Sequence, residues 1–355
     1  MPVTLKEIAQ SCNVSVTTVS NILNGKPKVG EETRRKVLAA MEELGYHPNY
    51  FAQGLRKQRT QNIGIIAEDL AQFTTPDIVE GIMERCEEKE YHILLQNLRL
   101  YARWKDMWYG HPELVREVLE PVVREFTSIK VDGLIYIGGH ERKINFFPEG
   151  VSIPVVLAYC CSDADVTSVE IDDESGGYEM VKYILSQGHR RIGVISGRPD
   201  NLHSVHRLLG YQRALYEAGI LYNPSWIKYG DWEPEVAYKV TEELLREKVT
   251  AIFCMSDLMA GGVYRCIAEH GLKVGRDIAV TGFDNNEGAE WYLPKLTSST
   301  LPLHEIGREA ARRLLRRLDC AEGEEVPPTE HVRIPGTLLV RESVHRLIPA
   351  EEGEE

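Results

Sequence analysis

Four short stretches in the second half of the chain carry side chains suited to gripping a polyhydroxylated molecule. They are "HRLLGY" with Arg207, "GDW" with Asp231 and Trp232, "SDLMA" with Ser256 and Asp257, and "GFDN" with Asp284. A guanidinium or a carboxylate binds a pair of hydroxyls as a fork, and an indole stacks on the face of a sugar ring. Asn201 in this half, and Asp69, Phe73, Gly138 and Tyr159 in the first, stand at comparable points just past apolar runs. Plainer roles compete with the chemical one. Asp257 suits the cap of a helix starting at Leu258, Arg207 suits a bridge between two lobes, and Trp232 suits a core. Asp284 is the poorest candidate for a core and is weighted to the ligand. GxSxG, GxxxxGK[ST] and HExxH are all missing, and Gly138-Gly139-His140 is too short for a phosphate loop. Without a nucleophile–base pair the expectation is a binding protein, not an enzyme, with no cofactor and no metal.

A second set of chemistry-bearing residues lies in "VSVTTVSNIL", Val14 to Leu23. Val, Ser and Thr are mediocre helix formers. Strict alternation nevertheless fails here, whereas Val19, Ile22 and Leu23 keep helical spacing, so the stretch reads as a helix that Ser15 can cap from Val16 onward. Its other side shows Val16, Thr17, Ser20 and Asn21, a thin row of small groups. Such a row suits a helix in the DNA major groove, with Asn21 reaching adenine and Val16 and the Thr17 methyl packing on thymine. A solvated face on a three-helix mini-core is the alternative.

The elements that hold this row are short. Thr4-Leu5-Lys6-Glu7 is a capping box opening a helix that ends near Cys12-Asn13. Asn24-Gly25 stops the second helix, and a third runs from about Glu31 to Leu44 with Gly45 just past its end. Two short helices, a tight turn and a third helix make a helix-turn-helix module. Charge agrees. The 355 residues carry a net −13, yet residues 1–60 hold nine Lys/Arg against five acids, leaving +4 on the head and −17 on the rest. A basic head on an acidic body points to an anionic partner for the head alone. No run of 18 apolar residues exists and the N-terminus is no signal peptide, so the chain is expected in the cytoplasm with no membrane partner. Seven cysteines without CxxC spacing read as reduced thiols.

In the body, continuous apolar runs alternate with helical patterns. "NIGIIAED", "YHILLQN", "DGLIYIG" and "PVVLAY" are expected as strands of a first lobe; "SVEID", "RIGVISG", "AIFCMS" and "DIAVTGFD" are expected in a second. Such strands with intervening helices make parallel sheets covered on both faces, and ligands sit beyond the carboxyl ends of the strands. The fold class is therefore α/β: a two-lobed body with parallel sheets, preceded by a small all-α helix-turn-helix domain.

The stretch "VTLKEIAQSCNVSVTTVSNILNGKPKVGEETRRKVLAAMEELGYHPN" resembles the headpiece of the LacI/GalR family of bacterial repressors, and the likeness continues through the chain. The resemblance implies a headpiece over 1–47, a hinge over 48–60 and a periplasmic-binding-protein-like effector and dimerisation domain over 61–345. The first lobe is expected at about 61–159 and 291–320 and the second at about 163–286 and 326–345. Chain crossings are implied near Tyr159–Asp163, Asn286–Trp291 and Ala321–Val326, and an acidic tail over 346–355. It implies that Val16, Thr17 and Asn21 read the major groove and that Thr4, Ser15 and Tyr46 face phosphates. Leu55 would wedge into the minor groove, with Arg56 and Lys57 beside it. The family usually has Ala-Arg where this chain has Ala52-Gln53, one positive charge fewer at the groove. Effector residues map onto Arg207, Trp232, Ser256 and Asp284, joined by Asp69, Phe73, Tyr159 and Asn201 from the strand-end reading.

The expected function is a ligand-responsive, sequence-specific DNA-binding regulator, a homodimeric repressor on a pseudo-palindromic operator of carbohydrate-related genes. Its small-molecule effector would be a sugar or sugar derivative that shifts the two lobes, and with them the spacing of the two heads. Gating by a partner protein, or by a nucleobase or nucleoside, is the alternative. Two features stand outside this scheme. Between Asn97 and Val131 the chain is longer than such relatives usually are, and Trp104, Met107, Trp108 and Tyr109 cluster there. That segment could cover the cleft, extend the dimer surface, bind another protein or pack on the first lobe. The row Arg308, Arg312, Arg313, Arg316, Arg317 reads as a solvated face paired with acids rather than as a second nucleic-acid site.

Overall fold

A computed structural model describes residues 3–23, 29–46, 59–145, 147, 151–320 and 327–347. The chain divides into a head up to Thr60 and a body from Gln61. The expected hinge residues Leu55, Arg56 and Lys57, the crossing at Ala321–Val326 and nearly all of the acidic tail lie outside the described residues.

The head holds α1 (Leu5–Cys12), α2 (Val16–Leu23) and α3 (Glu31–Glu43). The capping box is complete: the Glu7 carboxylate accepts the Thr4 amide at 2.7 Å and the Thr4 hydroxyl accepts the Glu7 amide at 3.4 Å. Ser15 caps α2 by accepting the Thr18 amide at 3.0 Å. At the end of α3, Gly45 takes φ +63°, and the Tyr46 amide reaches back to the Met41 carbonyl at 2.9 Å. That left-handed step favours glycine because it has no Cβ. Ile8, Ala9, Cys12, Val19, Ile22, Val37 and Met41 form the core.

In the body, six parallel strands make the first sheet: β1 (Asn62–Ala67), β2 (His92–Asn97), β3 (Gly133–Ile137), β4 (Val155–Ala158), β5 (Thr167–Ile171) and β11 (His331–Ile334), in the order β11-β5-β4-β3-β1-β2. Around it lie α4 (Thr75–Glu87), α5 (Leu100–Trp104), α6 (Pro112–Ile129) and α11 (Leu303–Asp319). A second parallel sheet has the order β7-β6-β8-β9, from β6 (Ile192–Ser196), β7 (Ile227–Tyr229), β8 (Ala251–Cys254) and β9 (Ala279–Thr281). Its helices are α7 (Asp173–Ser186), α8 (Leu202–Glu217), α9 (Pro234–Arg246) and α10 (Asp257–Glu269). A small antiparallel pair joins β10 (Ser298–Ser299) to β12 (Leu338–Leu339). No helix among the described residues is long and apolar enough to cross a membrane.

The crossings differ from those expected. "SVEI" lies in the first sheet, not the second lobe: β5 pairs with β4 from Val156↔Thr167 to Ala158↔Val169. The chain therefore passes over after Ile171 rather than near Tyr159–Asp163. The second crossing also comes later than Asn286–Trp291. Thr281 still bridges Thr297 and Asp284 still bridges Thr300 before α11 begins. Residues 331–334 pair with β5 at the edge of the first sheet, and only beyond them does Ser343 donate to the Val280 carbonyl at 2.6 Å in the second. The physical reason is that a short, fully buried apolar strand shows which residues are inside but not which sheet supplies its hydrogen bonds.

Within the arginine row, Arg308, Arg312 and Arg313 are ionically paired. Arg308 meets Glu84 at 2.8 Å and Glu88 at 3.1 Å, and Arg312 and Arg313 both meet Glu309 at 2.6 Å.

Candidate functional site

Segments beyond the carboxyl ends of strands in both sheets meet along the cleft between the lobes: the Glu141 amide after β3 donates to His203 Nε2, and Asn201 after β6 donates to the Tyr109 hydroxyl. α8 supplies the central cation of the cleft. Arg207 sits one turn before Gly210, where a Cβ would lie 2.2 Å from the Glu174 carbonyl of α7; a Cβ at Gly177 of α7 would lie 2.4 Å from the Arg207 carbonyl. This close helix crossing seats Arg207 at the base of the cleft. Its Nε donates to Asp173 Oδ1 at 2.6 Å, an Nη donates to the Met255 carbonyl, and its guanidinium stacks 3.6 Å from the Phe283 ring centroid. Asp284 Oδ1 lies 3.7 Å away and the Trp232 ring 5.9 Å. Arg207 is thus fully buried and bonded within its own lobe, so the alternative of a lobe-bridging arginine fails.

Asp284 follows β9 with φ +105°, and burial pushes its carboxyl up to about 8 against the pull of Arg207. Burial thus favours its protonated form, which can donate as well as accept. Trp232 follows β7 with φ +63° and packs against Gly197, where any side chain would collide with the indole. Tyr159, past β4, has φ +59° and lies 5.2 Å ring to ring from His203.

Other expected residues serve the scaffold. The Ser256 hydroxyl caps α10 by accepting the Met259 amide at 3.2 Å. Asp257 is therefore not the cap. Its carboxylate accepts Ser298 Oγ at 2.6 Å and the Asn286 amide at 2.9 Å, and burial pushes it up to about 7. Asp69 spends its two oxygens on the amides of Ala71 and Tyr101, at 3.0 and 3.1 Å. Phe73 is 61% exposed. Asn201 caps α8 by accepting the Ser204 amide at 3.4 Å.

Sequence reasoning missed Glu141, Asp173, His203 and His206. His203, His206, Arg207 and Gly210 follow helical i, i+3, i+4, i+7 spacing, a signal that marks one face of α8. The His203 Nδ1 lies 2.5 Å from Asp173 Oδ2, and its Nε2 accepts the Glu141 amide at 3.1 Å. Glu141 follows β3, so this second bond joins the two lobes. Burial lowers His203, and the Asp173 and Glu141 carboxylates outweigh it, raising the ring to about 9. The amide aimed at Nε2 opposes that extra proton. The Glu141 oxygens lie 3.1 Å from His206 Nδ1 and 3.3 Å from His203 Nδ1, without hydrogen-bond geometry. Glu141, Asp173 and His203 bring ligand atoms within 4.8 Å, a spacing that would suit a metal ion. The hydrogen bonds oppose that use: Nδ1 donates and Nε2 accepts, which leaves the ring no lone pair for an ion.

In the head, Thr4, Ser15, Val16 and Thr17 are exposed, and Ser20, Asn21 and Tyr46 are half-buried. Val19 and Ile22 turn inward, so the outward face of α2 carries the small row.

Residues 4–49 match the family described as bacterial regulatory proteins, lacI family, and residues 181–344 match a periplasmic binding protein-like domain. The HTH-type transcriptional repressor PurR of Klebsiella pneumoniae (strain 342) is 35% identical over 347 residues, 96% of each chain. The repressor of the same name from Escherichia coli O1:K1 / APEC is 33% identical over the same share. Among solved structures, the Lac repressor dimer bound to operator and the anti-inducer ONPF superposes with a TM-score of 0.78 at 27% identity, over 97% of this chain and 100% of that one. The CelR–cellobiose complex superposes with a TM-score of 0.65 at 29% identity, over 96% and 99%. The chain belongs to the lacI family of bacterial regulatory proteins and is a ligand-responsive, DNA-binding transcriptional repressor of that family.

Proposed function

We propose that the cleft between the two sheets takes a sugar or sugar derivative, and that its occupancy changes the grip of a homodimer on a pseudo-palindromic operator. The observation that carries this reading is the convergence of Asp284, Arg207 and Trp232, an acid 3.7 Å from the cation and an indole ring 5.9 Å from it. The likeness to the CelR–cellobiose complex supports it. On this reading Asn201 and Tyr159 line the opening, Phe73 stands at its rim, and Asp69 and Ser256 act by fixing backbone. A nucleobase or nucleoside is the second reading. It is favoured by the run of planar groups at the cleft, Tyr109, His140, Tyr159 and Trp232, which suits a flat heterocycle.

Val16, Thr17, Ser20 and Asn21 would meet base edges, with Thr4, Ser15 and Tyr46 toward phosphates. Leu55, Arg56 and Lys57 would engage the minor groove. Two heads on one duplex double the contacts, which is why a dimer is proposed. The protein would act in the cytoplasm without catalysis. A thermal-shift screen against sugars, sugar phosphates, nucleobases and nucleosides tests the effector class. A ligand that binds the native state alone raises the melting temperature. A shift confined to nucleobases would overturn the sugar reading in favour of the second one.

A further inference from the structure

The aromatic segment reaches across the cleft. α5 and the 3-10 turn after it, Lys105–Gly110, hang from the first lobe, where the Asp69 carboxylate holds the Tyr101 amide. Trp108 is 4% exposed and packs into the first-lobe core with Leu98, Leu100 and Val115. The Arg142 guanidinium, paired with Glu68, stacks 4.6 Å from the Trp108 ring centroid. Its neighbour Tyr109 is thereby aimed outward from a fixed base. The Tyr109 ring meets His140 at 5.9 Å on its own lobe, and its hydroxyl accepts Asn201 Nδ2 at 3.2 Å from the other. The Arg198 guanidinium, also from the second lobe, lies 5.8 Å from the same ring.

We propose that this segment is a latch: Tyr109 ties the first lobe to the N-terminus of α8 and closes the mouth of the effector cleft. It therefore sets both the size of effector admitted and the rate at which the lobes part. The cleft's role as effector site is taken from the reading above; the latch itself is tested without any effector. Burial of Trp108 makes it an anchor rather than part of a dimer surface, and the bond to Asn201 assigns Tyr109 to the cleft. A second interlobe bond, Glu141 amide to His203 Nε2, lies at the same end of α8, in its first turn, and reports whether the lobes are closed.

Hydrogen exchange of the Glu141 amide in the full chain is the test, because that amide is released when the lobes part. Tyr109→Phe removes the hydroxyl, and Asn201→Ser removes the donor while keeping a good helix cap. Each is expected to speed Glu141 exchange about fivefold, the effect of one net hydrogen bond. The double variant should be no faster than either single one, and amides inside β3 should keep their protection. Exchange unchanged in both variants would overturn the latch. So would effects that add in the double variant, or acceleration that extends equally into β3. Operator binding measured on the same variants separates loss of the latch from failure of the regulatory reading.

Discussion

The Nε of Arg207 donates to Oδ1 of Asp173 at 2.6 Å, with both side chains buried. The pair sits where α7 and α8 touch, so the cation of the cleft belongs to its foundation as much as to its opening. Removing one partner of a buried ion pair leaves the other uncompensated, at a cost of about 3–5 kcal/mol. Arg207→Ala should therefore lower the urea midpoint of the body as well as abolish the effector response. A midpoint equal to that of the unaltered chain would show that Asp173 finds another partner.

The helix crossing carries the same information one step further from the ligand. A methyl at Gly210 meets the Glu174 carbonyl at 2.2 Å and the Tyr178 amide nitrogen at 2.5 Å, so α7 and α8 must move apart. Overpacking of this kind costs about 1–3 kcal/mol. Gly210→Ala is expected to lower the melting temperature and to blunt the effector response, since Arg207 rides on the displaced helix. Base preference of the head should stay as it was. A variant with full response would mean that the position of Arg207 does not matter.

Asp284 gives the stability a pH dependence of definite sign. Its carboxyl is raised to about 8 by burial, above its ordinary value of 3.8. The folded chain therefore holds that proton more tightly than the unfolded one. The favourable contribution is complete below the ordinary value, declines as pH rises, and is lost above about 8. Asp284→Asn should flatten the decline and be at least as stable as the unaltered chain at alkaline pH. Part of the slope should remain, because Asp257 is raised to about 7 in the same way. Melting temperature against pH for both proteins checks the sign; a steeper decline in the variant would contradict it.

Two kinds of change in the head should behave differently. Thr4→Ala opens the capping box and loosens α1, so it should weaken binding to all duplexes alike. Asn21→Ala, or a change at Thr17, removes a group from the outward face of α2 and should alter which bases are preferred. Selection of sites from a random library, before and after each change, separates the two. An altered consensus with Thr4→Ala would place Thr4 among the base-reading groups.

Much of this architecture is legible in the sequence, for reasons that residues make plain. The caps Thr4, Ser15 and Gly45 declare the ends of the head helices, because only certain side chains satisfy helix termini. The apolar runs before Tyr159 and Asp284 declare strands, and the cleft follows from where they stop, whereas β7 before Trp232 is only Ile-Lys-Tyr and shows no apolar run. Sheet membership is hidden, since "SVEI" hydrogen-bonds to β4 by a choice made in three dimensions. Asp173 and Glu141 are hidden too. Asp173 opens α7 and Glu141 lies in the segment after β3, both in stretches that read as ordinary polar sequence, and each gains its role only when α8 brings His203 and Arg207 close. The His203–Gly210 periodicity was available, and it marks the face of α8 that packs against α7 and carries Arg207. The aromatic cluster around Trp108 is visible as composition, but only the bond from Asn201 shows that it reaches the cleft.

The most direct test of the account is a binding titration of the purified chain on a duplex selected from a random library, with and without a small molecule that raises its melting temperature. The account requires a clear preference for that duplex over scrambled competitor and an affinity that the small molecule changes by about tenfold, a coupling within the usual range for two-site linkage. Equal binding to selected and scrambled duplexes, or an affinity indifferent to every molecule that stabilises the body, would contradict it.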